Sequence, residues 1–194
     1  SIQNSGPGKS RVSQGINSVT IAPTGAVLAG GGDGSLLVLD PATMKSVASI
    51  KLAGGVSSIV AAAEVYKGGS FACDAGTDQC NIYYVTYDGT TGKMDAELFQ
   101  TCHFDRINDI AFPDGYSEVF ATCSTNDIRI WHTIENRELL RIQVPNLVCN
   151  CVSFTSDGKS IISGWSDGRI RAFGPQSGKL LYVINDAHAQ GVTS

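Results

Sequence analysis

Five stretches of this chain open alike. Ile16-Asn17-Ser18-Val19-Thr20-Ile21, Val56-Ser57-Ser58-Ile59-Val60, Ile107-Asn108-Asp109-Ile110-Ala111-Phe112, Cys149-Asn150-Cys151-Val152-Ser153-Phe154 and Val192-Thr193-Ser194 begin 40, 51, 42 and 43 positions apart. A unit that returns every forty-odd residues cannot bury its apolar surface alone. It must stack against copies of itself, and four short strands per unit at this period make the blades of a β-propeller.

Turn chemistry supports the same reading. Apolar and β-branched runs of five or six residues alternate with clusters such as Pro23-Thr24-Gly25, Gly32-Asp33-Gly34, Asp88-Gly89, Pro113-Asp114-Gly115, Ser156-Asp157-Gly158 and Asp167-Gly168. Glycine supplies the positive φ that tight hairpins need, and aspartate caps its own turn. The expected fold is all-β, a partial ring of about four four-stranded blades. In the first unit, strands fall at 16–22, 26–31, 35–39 and 46–52. The expected partition is a linker or the end of a preceding blade over 1–14, blades over 15–53, 54–101, 102–144 and 145–186, and the start of a further blade over 187–194. The second blade is the divergent one, stretched by an insertion at Tyr66–Gly69 and a turn over Asp88–Lys93. Residues 134–142 have good helix propensity, but their place in the repeat predicts a turn followed by a strand.

Composition narrows the function. Fourteen Lys and Arg against eighteen Asp and Glu give a net charge of -4, with the basic residues scattered singly. Nucleic-acid and anionic-membrane surfaces need clustered cations, so neither partner is expected. No apolar run is long enough to span a bilayer, no secretory-type segment opens the sequence, and the chain lacks Asn-X-Ser/Thr acceptors. The expected setting is cytoplasmic, with the six cysteines (73, 80, 102, 123, 149 and 151) as small core thiols. Cys149 and Cys151, two apart on a strand, are expected on one face; the spacing for a zinc site is absent. Cys73 and Cys80 flank a turn, and nothing in the sequence requires them to bond.

In WD-type repeats, a His before the first strand, a Ser or Thr on the second, an Asp in the following turn and a Trp on the third form a buried hydrogen-bond staple. This chain carries it in pieces. The third unit offers His103, Ser124 and Trp131, with Thr125 at the usual Asp position and Asp127 two residues later. The fourth keeps Asp167, with Phe173 for Trp and Pro145 for His. The first keeps Asp33, with Leu39 and Val12. His188 opens the truncated fifth unit. A hydrolase triad would use similar residue types, but these recur at repeat period and no Gly-X-Ser-X-Gly elbow is present. The starts of the first strands, Ile16, Val56, Ile107 and Cys149, are poor metal ligands. Gly8-Lys9-Ser10 lacks the first glycine of a phosphate loop, and Gly30–Gly34 reads as a hairpin turn. No catalytic residue, metal, cofactor or small-molecule substrate is expected. For a partner surface, Trp165 beside a rim turn, with Arg106, Arg169 and Arg171 near it, is the candidate, against the plain alternative that Trp165 packs between blades.

Longer strings are more specific. Cys102-His103-Phe104-Asp105, Phe120-Ala121-Thr122-Cys123, Asp127-Ile128-Arg129-Ile130-Trp131-His132-Thr133, Asn136–Ile142, Asp157–Ser163 and Ile170-Arg171-Ala172-Phe173 resemble the cilia- and flagella-associated WD-repeat (WD40) proteins, closely from about residue 102 onward. That resemblance implies a non-enzymatic scaffold inside the doublet microtubules of motile cilia, contacting tubulin and neighbouring inner-junction proteins. It carries over no binding residue position by position. A generic intracellular WD-repeat adaptor of a multiprotein complex is the rival, since one fold serves both.

Overall fold

The computed structural model describes residues 15–63, 70–101 and 103–193. The linker at 1–14 with Val12 and Gly8-Lys9-Ser10, the insertion at 66–69, Cys102 and Ser194 lie outside them. All strands of the described chain pair antiparallel, arranged as a WD40-type partial propeller.

The first blade runs β1 (Ile16–Ile21), β2 (Val27–Gly31), β3 (Ser35–Leu39) and β4 (Ser46–Lys51), paired in that order. The second repeats it with β5 (Val56–Ala61), β6 (Phe71–Thr77), β7 (Asn81–Asp88) and β8 (Lys93–Thr101). The third comprises β9 (Asp109–Ala111), β10 (Val119–Cys123), β11 (Thr125–His132) and the first part of β12 (Arg137–Phe154). The remainder of β12 opens the fourth, followed by β13 (Ile161–Trp165), β14 (Ile170–Phe173) and β15 (Leu180–Ile184). Residues 134–142 thus make a turn and an outer strand, because pairing of β12 with β11 outweighs local helix preference. β12 is unbroken across Pro145, so the last two blades form one seven-stranded sheet.

Alternation along each strand gives every blade two apolar faces, and the faces turned towards a neighbouring blade pack on it. Leu28, Leu36 and Val38 of the first blade meet Val56, Phe71 and Val85 of the second. Ile82 and Phe99 of the second meet Ile107, Phe120 and Trp131 of the third. Ala121, Ile128 and Ile142 of the third meet Ile161, Trp165 and Phe173 of the fourth. The first strands β1, β5, β9 and late β12 lie next to one another, as they must where wedges converge.

Candidate functional site

Convergence creates a problem that the repeated strand openings solve. The first strand of each blade pairs with its own second strand along one edge only. Its other edge would leave buried backbone groups without partners. A β-bulge opens this strand in the first, second and fourth blades, between Ile16 and Ser18, Val56 and Ser58, and Cys149 and Cys151. A bulge inserts one extra residue and re-aims its side chain. Here that residue reaches the next blade: Asn17 Nδ2 donates to the Val56 carbonyl (3.1 Å) and Asn150 Nδ2 to that of Val192 (2.7 Å). Between them, Ser57 Oγ donates to the Ile107 carbonyl and Asn108 Nδ2 to that of Cys149 (2.7 Å).

The third residue of the first three openings makes a second row of bonds. Ser18 Oγ accepts from Ile59 N (3.0 Å), Ser58 Oγ from Ile110 N (3.3 Å) and Asp109 Oδ2 from Val152 N (3.0 Å). Asp109 goes further, since its Oδ1 also accepts from Ser58 Oγ (2.9 Å). One carboxylate therefore ties the second, third and fourth blades together. Burial pushes its pKa up, against the three hydrogen bonds from Val152, Ser58 and Ile110 that favour the charged form.

Side-chain volume completes this seam. A Cβ on Gly76 would stand 2.7 Å from Ile107 Cγ2, so only glycine admits the β-branched side chain that opens the third blade; Gly30 and Gly164 receive Val56 and Val192 in the same way. The third blade departs from the pattern. Cys123 occupies the glycine position, and the fourth blade opens with the slimmer Cys149, whose carbonyl accepts from Cys123 Sγ (3.5 Å). Both are free thiols at 0% exposure.

The bulge also corrects an expectation about the cysteines. It sets Cys149 opposite Trp165 and Cys151 opposite Gly164, neighbours along β13. The two side chains therefore take opposite faces and not the same one. Cys73 and Cys80 are likewise free. Among the described residues no group of three or more His, Cys, Asp and Glu is placed to hold a metal.

The third blade holds a buried relay. Trp131 Nε1 donates to Thr122 Oγ1 (2.8 Å), which bonds His103 Nε2 (2.7 Å), while His103 Nδ1 meets Asp127 Oδ1 (2.8 Å). Arg129 Nε donates to Asp127 Oδ2 (2.8 Å) and its Nη1 to Glu138 Oε2 (3.1 Å). Only one assignment of protons satisfies every member: Thr122 donates to Nε2 and Nδ1–H donates to Asp127. Burial lowers the His103 pKa, with Asp127 opposing, and keeps the ring neutral. At Asp127 burial acts upward, but hydrogen bonds from His103 and Arg129 hold the carboxyl below its ordinary range.

Four of the residues expected in staples stand elsewhere. Ser124 is not the hydroxyl of the relay: it follows β10, between that strand and β11, and donates to the Asp105 and Arg106 carbonyls (3.0 and 2.7 Å), while Thr122, two residues earlier, takes the role. Asp33 is exposed; it accepts from Ser35 and from Lys51 (2.8 Å), and that lysine first of all holds its pKa low. Asp167 bonds Arg171 through both carboxylate oxygens (3.0 and 2.6 Å) and no histidine. His188 is exposed, and its backbone N–H donates to the Gly168 carbonyl.

Trp165 is corrected as a partner-surface residue, for it is wholly buried. Its Nε1 donates to Ser163 Oγ (2.8 Å), and the Arg171 guanidinium covers its ring at 5.5 Å. It thus supplies the indole N–H that Phe173 lacks. Arg171 is buried with it, Arg106 is half-buried, and Arg169 remains exposed. Arg129, Glu138 and Asp109 are not singled out by the sequence, although the polar residue in second place of every strand opening, and in third place of all but the fourth, is the visible sign of the seam.

Comparison with known proteins agrees with this geometry. The model of the WD domain, G-beta repeat, matches residues 7–40 and 143–173. A protein of Chlamydomonas reinhardtii, cilia- and flagella-associated protein 52, is 51% identical over 192 residues, 99% of this chain and 30% of its own length. The proteins of that name from Homo sapiens (46% over 189 residues, 97% and 29%) and Bos taurus (45% over 193 residues, 100% and 30%) follow. The blades and their relay define a WD-repeat propeller segment. Within that class, the chain belongs to the family of cilia- and flagella-associated protein 52. It spans about 30% of the length of the curated relatives it matches.

Proposed function

We propose that the segment is part of a non-catalytic WD-repeat scaffold of the ciliary or flagellar axoneme, one that binds and stabilises doublet microtubules, with tubulin and neighbouring inner-junction proteins as its partners. The observation that carries this reading is the unbroken lacing of strand to strand across four blades, in a chain whose relatives are named for cilia and flagella. Mechanism here is shape. A frame whose loops are held at fixed spacing presents anchored side chains without the entropic cost of ordering them on binding. Tubulin is an acidic protein in general, and this segment is acidic too, so binding would rest on local patches and hydrogen bonds more than on bulk attraction.

Sedimentation of the full-length chain with taxol-stabilised microtubules tests the reading. The expected result is co-pelleting that weakens only modestly from low to moderate salt. Failure to pellet, or a steep loss with salt, would leave the adaptor reading in its place.

A further inference from the structure

A cleft of about 640 Å³ opens between the third and fourth blades. Its walls come from the loop joining β9 and β10, the loop joining β12 and β13, and the turn joining β14 and β15. Val119, Ile130, Leu140 and Phe154 form an apolar floor. Tyr116 and Leu139 stand at its edge, 45% and 39% exposed. Carboxylates stand at the mouth: Asp114 and Asp157 line it, and Glu118 accepts from the Tyr116 hydroxyl. The Thr155 hydroxyl, first of all, holds the Asp157 carboxyl below its ordinary range, so it is charged at neutral pH.

Among the described residues, none that lines the cleft is basic. Lys159 extends from the adjacent turn to within 3.7 Å of Asp157 and is itself exposed. The cleft lies between two blades already packed together, away from the outer faces of the first and fourth blades, so another blade stacked on either end would not cover it. A second copy of an acidic chain would meet its mouth with like charge.

We propose that this cleft is a docking groove for an extended segment of a partner protein in which one or two large apolar residues are flanked by Lys or Arg. The apolar side chains fill the floor, where buried aromatic and aliphatic anchors contribute most of the binding energy, and the cations meet Asp114 and Asp157. A small uncharged ligand would leave the wide mouth unfilled, whereas a peptide spans it. The inference extends the scaffold reading by naming the chemistry of one partner.

The test is selection of random peptides of about twelve residues, displayed on phage, against the full-length chain, followed by anisotropy titration of the synthesised winners. The expected consensus pairs an apolar anchor with basic flanks, and affinity falls about tenfold in Leu139→Asp and severalfold in Asp114→Asn/Asp157→Asn, more weakly at high salt. Unchanged thermal unfolding of these surface variants shows that the fold is intact. No enriched peptide, an acidic consensus, or binding indifferent to both variants would overturn the groove. Microtubule sedimentation of the same variants keeps the two readings apart: loss of peptide with retained pelleting separates the groove from the microtubule surface, and loss of pelleting in the unaltered chain counts against the scaffold reading alone.

Discussion

Thr122 shows how much one hydroxyl carries. It receives the Trp131 N–H and gives its own proton to His103, so its loss leaves two buried polar groups unmatched. Thr122→Val, nearly isosteric, is expected to destabilise the chain by about 1–3 kcal/mol, and Thr122→Ser by much less, in denaturant unfolding. The sequence pointed to Ser124 because the staple is read by spacing, and a slip of two along a strand keeps the side chain on the same face. His103 and Trp131 were legible from the repeat; Trp165 was not, because only tertiary structure shows Arg171 lying across its ring.

Two buried titratable groups on this scale give opposite pH dependences. Asp74, wholly buried on β6, accepts no hydrogen bond among the described residues, and desolvation pushes its pKa up to about 8. The folded state then holds a proton that the unfolded chain releases, so stability falls as pH rises from about 4 towards 8, by at most about 1.4 kcal/mol per unit. Asp74→Asn is expected to flatten that slope in thermal unfolding across the window. His103, with its pKa lowered, works the other way: its contribution is present above the ordinary histidine value and is lost as pH falls through and below it. His103→Gln should remove that acid sensitivity, and an unchanged acid limb would refute the relay as its source.

At the scale of elements, the seam predicts coupling between residues 26 apart in sequence. Cys149→Val places a branched side chain against Cys123, where the other blades have glycine, and overpacking costs about 1–3 kcal/mol. Adding Cys123→Gly should restore most of that loss, and a double-mutant cycle measures the difference. Additive effects would show that the two positions do not share one space. Strand order and most strand limits were legible from turn chemistry and β-branched runs. The bulges were not, since alternation counted through Cys149 and Cys151 assumes a regular strand, and continuity of β12 through Pro145 depends on two neighbouring sheets at once.

Over the whole molecule, the ends of the arc differ from its middle. Val19 and Ile21 of β1 are 60% and 67% exposed, and Tyr182 and Ile184 of β15 about half exposed, whereas equivalent faces inside the stack are covered. Apolar faces of this extent favour association. The isolated segment is therefore expected to self-associate in light scattering, and Val19→Lys with Ile21→Lys to reduce it; a strictly monomeric segment would contradict this. That repetition implies stacked blades was legible from the period alone. Which side chains lace them was not, because each bond joins residues about 40 to 50 positions apart.

The stack's unity rests on those bonds, and Asp109 joins three blades at once. Amide hydrogen exchange on the full-length chain, wild type against Asp109→Ala, tests it directly. The Ile110 and Val152 amides should be protected in the wild type, and the variant should lose protection at Val152 and along β5 and β9 together. Exchange at Val152 that is fast in the wild type, or unmoved by the substitution, would mean that the blades are held by apolar packing alone and that the seam does not couple them.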